Sequence, residues 1–145
     1  MPKTLKAWIY YVLKYWLPFF LWAIVIYSFS ANPTVKTTEI HWEDFILKKT
    51  AHLVEYFVFS LLFYRVLINS NVKPKNAFWC TVILAFIYGY SDEFHQSFTP
   101  GREPKIRDVL IDTFGSLLFI LSYKYILPKS KRLTKLAQVI QLVRN

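Results

Sequence analysis

Four long apolar stretches dominate the sequence, at about residues 8–30, 49–68, 77–95 and 107–127, with short polar segments between them. Each is close to the roughly 20 residues that an α-helix needs to cross the hydrocarbon core of a bilayer. The chain is 54% hydrophobic and 19% aromatic but has only three glycines, which is unlike the composition of a soluble domain. The pattern predicts an all-α integral membrane bundle of four transmembrane helices, forming one domain over residues 1–128.

Two features modify this simple pattern. Pro18 lies inside the first stretch, where its missing N–H predicts a kink that neighbouring helices can tolerate. Residues 40–47 precede the second stretch and combine aromatic, apolar and acidic side chains. We expect this segment to form either a short helix lying in the membrane interface or a plain loop.

The last segment, residues 129–145, is both basic and periodic. Its apolar residues recur at helical spacing, as in a helix that lies on a membrane surface. The apolar set is Leu133, Leu136, Ala137, Ile140 and Val143, and the basic set is Lys131, Arg132, Lys135 and Arg144. We expect a C-terminal amphipathic basic helix on the cytoplasmic side, and a solvated tail is the alternative.

Charge is distributed unevenly along the chain, which has 18 basic residues, 9 acidic residues and a net charge of +9. Most of the basic residues and none of the acidic ones lie before residue 31, between residues 56 and 91, or after residue 112. Because cytoplasmic segments retain basic residues, we expect both termini in the cytoplasm and segments 31–49 and 96–107 outside. The basic residues flank apolar runs, so their expected partner is anionic lipid at the cytoplasmic face and not nucleic acid.

Polar residues interrupt the apolar pattern most densely between Tyr88 and Gly115. This region is predicted to contain the end of the third helix, a tight turn at residues 99–102 and the start of the fourth helix. Five of the nine acidic residues lie in it: Asp92, Glu93, Glu103, Asp108 and Asp112. An ionisable residue inside a membrane span is expensive to keep charged, so the region is predicted to hold a functional site.

The expected topology brings three polar helix faces to one depth, just inside the outer leaflet. Residues three or four positions apart share a helix face, and polar faces avoid lipid by meeting each other. The second helix contributes Lys48, Lys49, His52, Glu55 and Tyr56, the third Gly89, Glu93 and Gln96, and the fourth Asp108, Asp112 and Gly115. The two glycines would let the helices approach closely. Asp92 and His95 are expected to point away from this site.

Several short motifs in these helices resemble the signature of the VanZ-like family. They are Tyr27-Ser-Phe-Ser30, Lys48-Lys49-x-x-His52-x-x-Glu55-Tyr56, Glu93-x-x-Gln96, Phe98-x-Pro-Gly-Arg102 and Asp108-x-x-x-Asp112-x-x-Gly115. The resemblance covers most of residues 20–122 and departs at Asp112, where the family more often has Asn. It implies a small protein of the bacterial cytoplasmic membrane, in a family of which some members are linked to resistance to the glycopeptide teicoplanin.

The polar cluster predicts a site that binds the head group of a lipid or of a lipid-linked cell-wall precursor. Its ligand-binding candidates are Lys49, Glu55, Tyr56, Gln96, Arg102 and Asp112. Arg102 and Lys49 suit a phosphate, and the guanidinium of Arg102 is also expected to bridge carboxylates from two helices. Asp112, if charged, would pair with Lys49, Arg102 or His52, and if neutral would donate a hydrogen bond.

Other functions fit the same residues. In an intramembrane hydrolase or transferase acting on a phospho- or polyprenyl-lipid, the catalytic candidates are His52, Glu93 and Asp108, and Arg102 stabilises phosphate charge. In a lipid transporter or scramblase, the cluster is a polar path. In a purely structural role, Glu93 and Asp108 form salt bridges with Arg102 and Lys49.

A divalent cation is the least favoured ligand of the cluster. The residues that would hold it are His52, Glu55, Glu93 and Asp108. The sequence lacks the ligand spacing of known metal sites, so no residue is assigned to a metal.

Overall fold

The computed structural model describes residues 4–31, 41–99, 102 and 104–143, and all regular structure in these residues is helical. The helices are α1 (Leu5–Ser30), α2 (His41–Asn69), α3 (Pro74–Gln96), α4 (Ile106–Lys129) and α5 (Lys131–Val139). The all-α fold class is therefore confirmed for the described residues. Helices α1 and α4 and the Phe45–Asn69 part of α2 are long and apolar enough to cross a membrane. Helix α3 is not among these, so a fourth span stays a prediction.

Helix α1 changes its hydrogen bonding next to Pro18. Residues Val12–Trp16 form a π-helical turn directly before the segment that contains Pro18. Proline has no N–H to donate to the carbonyl four residues earlier, which is that of Lys14. This carbonyl instead accepts a hydrogen bond from Arg65 Nη1 of α2, at 3.1 Å. The neighbouring helix thus satisfies the backbone group that Pro18 frees.

Helix α2 is longer than the second apolar stretch. It begins at His41 and not near residue 49, so residues 41–47 form its first two turns. Residues 41–47 are therefore helical, so the loop expected for residues 40–47 is wrong, and the expected helix is not short because it continues to Asn69. Residue 40 lies outside the described part, and a position in the membrane interface stays a prediction. No proline or glycine occurs between His41 and Asn69, which explains the unbroken helix.

The C-terminus of α2 is closed by a Schellman motif. Asn71 adopts the left-handed conformation, with φ 65°, and the Val72 N–H donates to the Leu67 carbonyl at 3.1 Å. The chain then enters α3 at Pro74, whose fixed φ suits the first turn of a helix. The two helices are therefore antiparallel neighbours joined by a short connection.

Helix α2 is the central element of the bundle and contacts α1, α3 and α4. One buried cluster contains Phe19, Ile26, Tyr56, Phe59, Val66 and Ala85. A second contains Tyr64, Ile68, Ala77, Phe119, Ile120, Ala137 and Leu142. Many large apolar side chains on the outside of the bundle remain exposed, including Phe20, Ile24, Ile87 and Leu110. An apolar outer surface of this extent is typical of helices that face lipid.

Helix α5 folds back onto the bundle. Ala137 and Leu142 are buried in the second cluster, whereas Leu133 and Leu136 are exposed. The solvated tail without fixed structure is therefore wrong for residues 131–143. That α5 lies on a membrane as an amphipathic helix stays a prediction.

Helices α2 and α4 are in backbone contact at Gly115. A Cβ atom at this position would lie 2.5 Å from the Leu53 carbonyl oxygen, closer than any side chain can approach. The glycine thus allows the two backbones to touch, as small residues do in membrane helix pairs. Side chains one turn away on the two helices are consequently held within reach of each other.

Candidate functional site

The polar residues of α2, α3 and α4 meet at one end of the bundle, where α2 and α4 begin and α3 ends. Two side-chain pairs link α2 to α4: His52 with Asp112, and Lys49 with Asp108. Glu93 links α3 to the residue before α4, because its Oε2 accepts a hydrogen bond from the Lys105 N–H at 2.7 Å. These contacts join the three helices around a common site.

The innermost pair is His52 and Asp112. His52 Nδ1 lies 3.1 Å from Asp112 Oδ1, so the imidazole and the carboxylate share a hydrogen bond. The Asp112 side chain is completely buried, and that of His52 is 19% exposed. Of the three partners expected for Asp112, the structure selects His52. The second carboxylate oxygen, Oδ2, is buried without a hydrogen-bond partner among the described residues.

Gly89 of α3 packs closely against this carboxylate and the Tyr56 hydroxyl. A Cβ atom on Gly89 would lie 3.2 Å from Asp112 Oδ2 and 3.5 Å from the Tyr56 hydroxyl. The Tyr56 side chain is fully buried, and its hydroxyl also has no hydrogen-bond partner within the described residues. Two unpaired oxygen atoms from α2 and α4 therefore face the glycine of α3.

Asp92 lies inside the site, and not outside it as the sequence had led us to expect. Gln96 Nε2 donates a hydrogen bond to Asp92 Oδ2 at 2.8 Å, and both residues are buried. The prediction that Asp92 points away from Gln96 is wrong, because residues four apart share a helix face. The four-residue spacing of Asp92 and Gln96 already indicated in the sequence that the two side chains share a face. Asp92 Oδ1 is unpaired in the described structure.

Glu93 is buried at the same level of α3 and keeps one oxygen unpaired. Its Oε2 is held by the Lys105 N–H, while Oε1 has no hydrogen-bond partner among the described residues. Asp92, Glu93 and Asp112 lie near enough to one another to interact electrostatically, and Tyr56 lies within the same range of Asp92 and Asp112. The site thus gathers several acidic groups in a buried space.

A charged rim lies at the start of α2 and α4. Lys49 Nζ is 2.6 Å from Asp108 Oδ2, and Arg107 Nε is 3.6 Å from Asp108 Oδ1. Both cations also lie close to the ring of Phe45, with Arg107 4.9 Å and Lys49 5.7 Å from its centroid. Asp108, a catalytic candidate in the sequence analysis, is therefore engaged by two cations.

The remaining candidates lie around this core. Arg102 Nη2 donates to the Phe29 carbonyl at 3.1 Å, which ties the turn before α4 to the end of α1. Pro100, Gly101 and Glu103 lie outside the described residues. Lys48 and Glu55 are half-buried on α2, and the Glu55 carbonyl accepts a hydrogen bond from Trp22 Nε1 at 2.9 Å. That Arg102 bridges carboxylates stays a prediction.

The metal hypothesis finds no geometric support in the described part of the chain. No group of three or more His, Cys, Asp or Glu side chains there is arranged to hold a metal ion. The chemistry available to the site is hydrogen bonding, ion pairing and proton transfer by His52 and the carboxylates. These groups suit an organic ligand that carries hydrogen-bond donors.

Comparison with protein families finds a match over most of the chain. The model of a family described as VanZ/LLP1 matches residues 7–127 of the chain. This range contains every candidate residue of the site. No curated protein and no solved structure matches.

Replacing His52 alone should destabilise the protein more than replacing His52 and Asp112 together. His52→Leu leaves the buried carboxylate without its donor, and loss of one partner of a buried pair costs about 3–5 kcal/mol. The double variant His52→Leu/Asp112→Leu removes that stranded charge and should regain part of the loss. The measurement is the free energy of unfolding in detergent for His52→Leu, Asp112→Leu, the double variant and the wild type.

The control for this comparison is Arg107→Leu. The Arg107 side chain is 56% exposed and is only a second partner of Asp108, so the loss of stability should be at most about 1 kcal/mol. If the losses at His52 and Asp112 simply add, the two side chains do not act as a buried pair.

Proposed function

This chain belongs to the VanZ/LLP1 family, and we propose that it binds the head group of a lipid or of a lipid-linked cell-wall precursor within the bacterial cytoplasmic membrane. Membership of the family and three apolar helices indicate a membrane protein. In the proposal, α3 is a fourth span and both termini lie in the cytoplasm. The site at the start of α2 and α4 then opens toward the outer leaflet.

The observation that carries this proposal is a set of buried oxygen atoms without hydrogen-bond partners in the described structure. It includes Tyr56 Oη, Asp92 Oδ1, Glu93 Oε1 and Asp112 Oδ2. A buried polar group left unpaired costs about 1–3 kcal/mol, and folded proteins seldom leave such groups together. A polar molecule that enters between the helices would satisfy them.

The rim supplies the groups for the phosphate of such a head group. Lys49 and Arg107 lie side by side at Asp108, and Arg102 lies in the turn that precedes α4. Arginine forms paired hydrogen bonds with phosphate oxygens, and lysine adds a point charge. At the other end of the bundle, the exposed Lys131, Arg132 and Lys135 of α5 suit anionic lipid on the cytoplasmic side.

A second candidate function, hydrolysis or group transfer on the bound lipid, is favoured by the His52–Asp112 pair. A carboxylate that holds one imidazole nitrogen directs the other nitrogen to act as a general base. Turnover of purified protein with phospholipid and polyprenyl-phosphate substrates distinguishes the two functions. In an enzyme, Glu93→Gln abolishes turnover while lipid binding survives. Lipid flip between leaflets without turnover would instead indicate a transporter or scramblase.

The orientation of α3 can be tested with two cysteines at its opposite ends. In a Cys80→Ala background, Ser97→Cys should react with a membrane-impermeant maleimide in intact cells, and Asn76→Cys should react only after permeabilisation. Both native side chains are exposed. Reaction of both cysteines in intact cells would show that α3 does not span the membrane, and reaction of Asn76→Cys alone would invert the topology.

Tyr56→Phe should weaken lipid binding without loss of folding stability. The Tyr56 hydroxyl has no partner among the described residues, so its removal breaks no known hydrogen bond in the protein. If the hydroxyl bonds to the ligand, affinity should fall by about tenfold. The measurement is native mass spectrometry of the full chain with undecaprenyl phosphate, phosphatidylglycerol and phosphatidylethanolamine.

The matched control is Tyr64→Phe, which removes a hydroxyl from the same helix at the distant cluster. It should leave the affinity for each lipid unchanged. Failure of all three lipids to bind the wild-type protein would refute the proposed function.

Glycopeptide resistance follows from the proposal if the site acts on the cell envelope as in the family members that are linked to teicoplanin resistance. Cells that express the chain should then tolerate the lipid-tailed glycopeptide teicoplanin better than cells with an empty vector, with less effect on vancomycin. The measurement is the minimum inhibitory concentration of each drug. Unchanged susceptibility to both would remove resistance as a role of the protein and leave lipid binding to be judged by the Tyr56→Phe experiment.

A further inference from the structure

The unpaired oxygen atoms of the site share one chemical character. Asp92 Oδ1, Glu93 Oε1 and Asp112 Oδ2 are carboxylate oxygens, and each lies in a side chain that is at most 5% exposed. An ionised carboxylate only accepts hydrogen bonds. In that ionised form the inner part of the site offers acceptors and negative charge, and the fully buried Tyr56 hydroxyl adds a group that can accept as well as donate.

The helices pack closely beside two of these atoms. Gly89 is buried, and a single methyl group in place of its hydrogen would already stand 3.2 Å from Asp112 Oδ2 and 3.5 Å from the Tyr56 hydroxyl. The group that enters here must be compact, must donate several hydrogen bonds and must compensate negative charge. A phosphate group is excluded from this inner part of the site because its negative charge is repelled by the carboxylates. A sugar hydroxyl is neutral and would leave the buried carboxylates uncompensated.

We infer that the site recognises the primary ammonium group of a zwitterionic phospholipid, with the lipid phosphate held at the rim by Lys49 and Arg107. This inference rests on the proposed function and names the class of head group. A primary ammonium carries three N–H donors and one positive charge. A quaternary ammonium has the same charge and no donor, so it leaves the carboxylate oxygens unpaired.

A methylation series tests the donors directly. Full-length protein is titrated with phosphatidylethanolamine, its N-methyl and N,N-dimethyl derivatives, and phosphatidylcholine of the same acyl composition, and each affinity is measured by native mass spectrometry. The affinity should fall stepwise along the series, by on the order of tenfold for each hydrogen bond to a charged group that is lost. Soluble phosphoethanolamine, which is the same head group without acyl chains, is added as a competitor. It distinguishes a lipid ligand from a free amine.

Two variants place the selectivity at the proposed atoms. Gly89→Ala places a methyl group 3.2 Å from Asp112 Oδ2 and 3.5 Å from the Tyr56 hydroxyl. It should remove the preference for phosphatidylethanolamine over phosphatidylcholine, and because alanine raises helix propensity the protein should stay folded. Asp92→Asn removes a negative charge and should reduce the preference. The matched control is Glu43→Gln, which removes a carboxylate from the first turns of α2, away from these atoms. This variant should keep the preference for phosphatidylethanolamine.

The outcomes separate this inference from the proposed function. Equal affinity for phosphatidylethanolamine and phosphatidylcholine, or preference for phosphatidylglycerol, would overturn the ammonium assignment while lipid binding stands. If phosphoethanolamine competes at the same concentration as the lipid, the recognised ammonium group does not need to belong to a lipid, and that part of the inference is wrong. Absence of binding by every lipid of this series and by undecaprenyl phosphate and phosphatidylglycerol would refute the proposed function and this inference with it. Stepwise loss along the series, abolished in Gly89→Ala and kept in Glu43→Gln, supports the assignment.

Discussion

The backbone contact between α2 and α4 at Gly115 is the constraint on which the site depends. Because the Leu53 carbonyl occupies the place of a side chain at Gly115, the two helices lie close enough for short side chains to bridge them. His52 reaches Asp112 across this contact, and Lys49 reaches Asp108 one turn nearer the helix starts. A bulkier residue at position 115 would separate both pairs at once.

Helix α3 completes the site and also brings acidic side chains close enough to repel one another when they are ionised. It brings Asp92 and Glu93 against an aspartate of α4, and like charges in a buried space repel unless cations or hydrogen bonds compensate them. Gln96 and the Lys105 N–H each satisfy one carboxylate oxygen and leave another unpaired. The protein thus holds a partly satisfied polar network between apolar helices. Such networks are costly for stability, and this cost is the reason that we propose a ligand for the site.

The opposite end of α2 is fixed by a separate set of polar contacts. Arg65 donates from Nε to the Ile140 carbonyl at 2.5 Å and from Nη1 to the Lys14 carbonyl, so one side chain ties α2 to α1 and to the end of the chain. Asn69 adds a hydrogen bond to the Gln141 carbonyl at 2.8 Å. Helix α2 is therefore anchored at one end by backbone carbonyls and carries the site at the other.

The sequence by itself determined the helical class, the polar stretch and the faces that meet, because hydrophobic length and residue spacing act within single helices. His52 and Asp112 were both recognised in this way. Only the tertiary structure decided that Asp112 pairs with His52, since spacing along one helix does not fix the rotation and depth of its neighbour. It likewise decided that Asp92 is buried inside the site and which oxygens stay unpaired, because these follow from how three helices pack around Gly89 and Gly115.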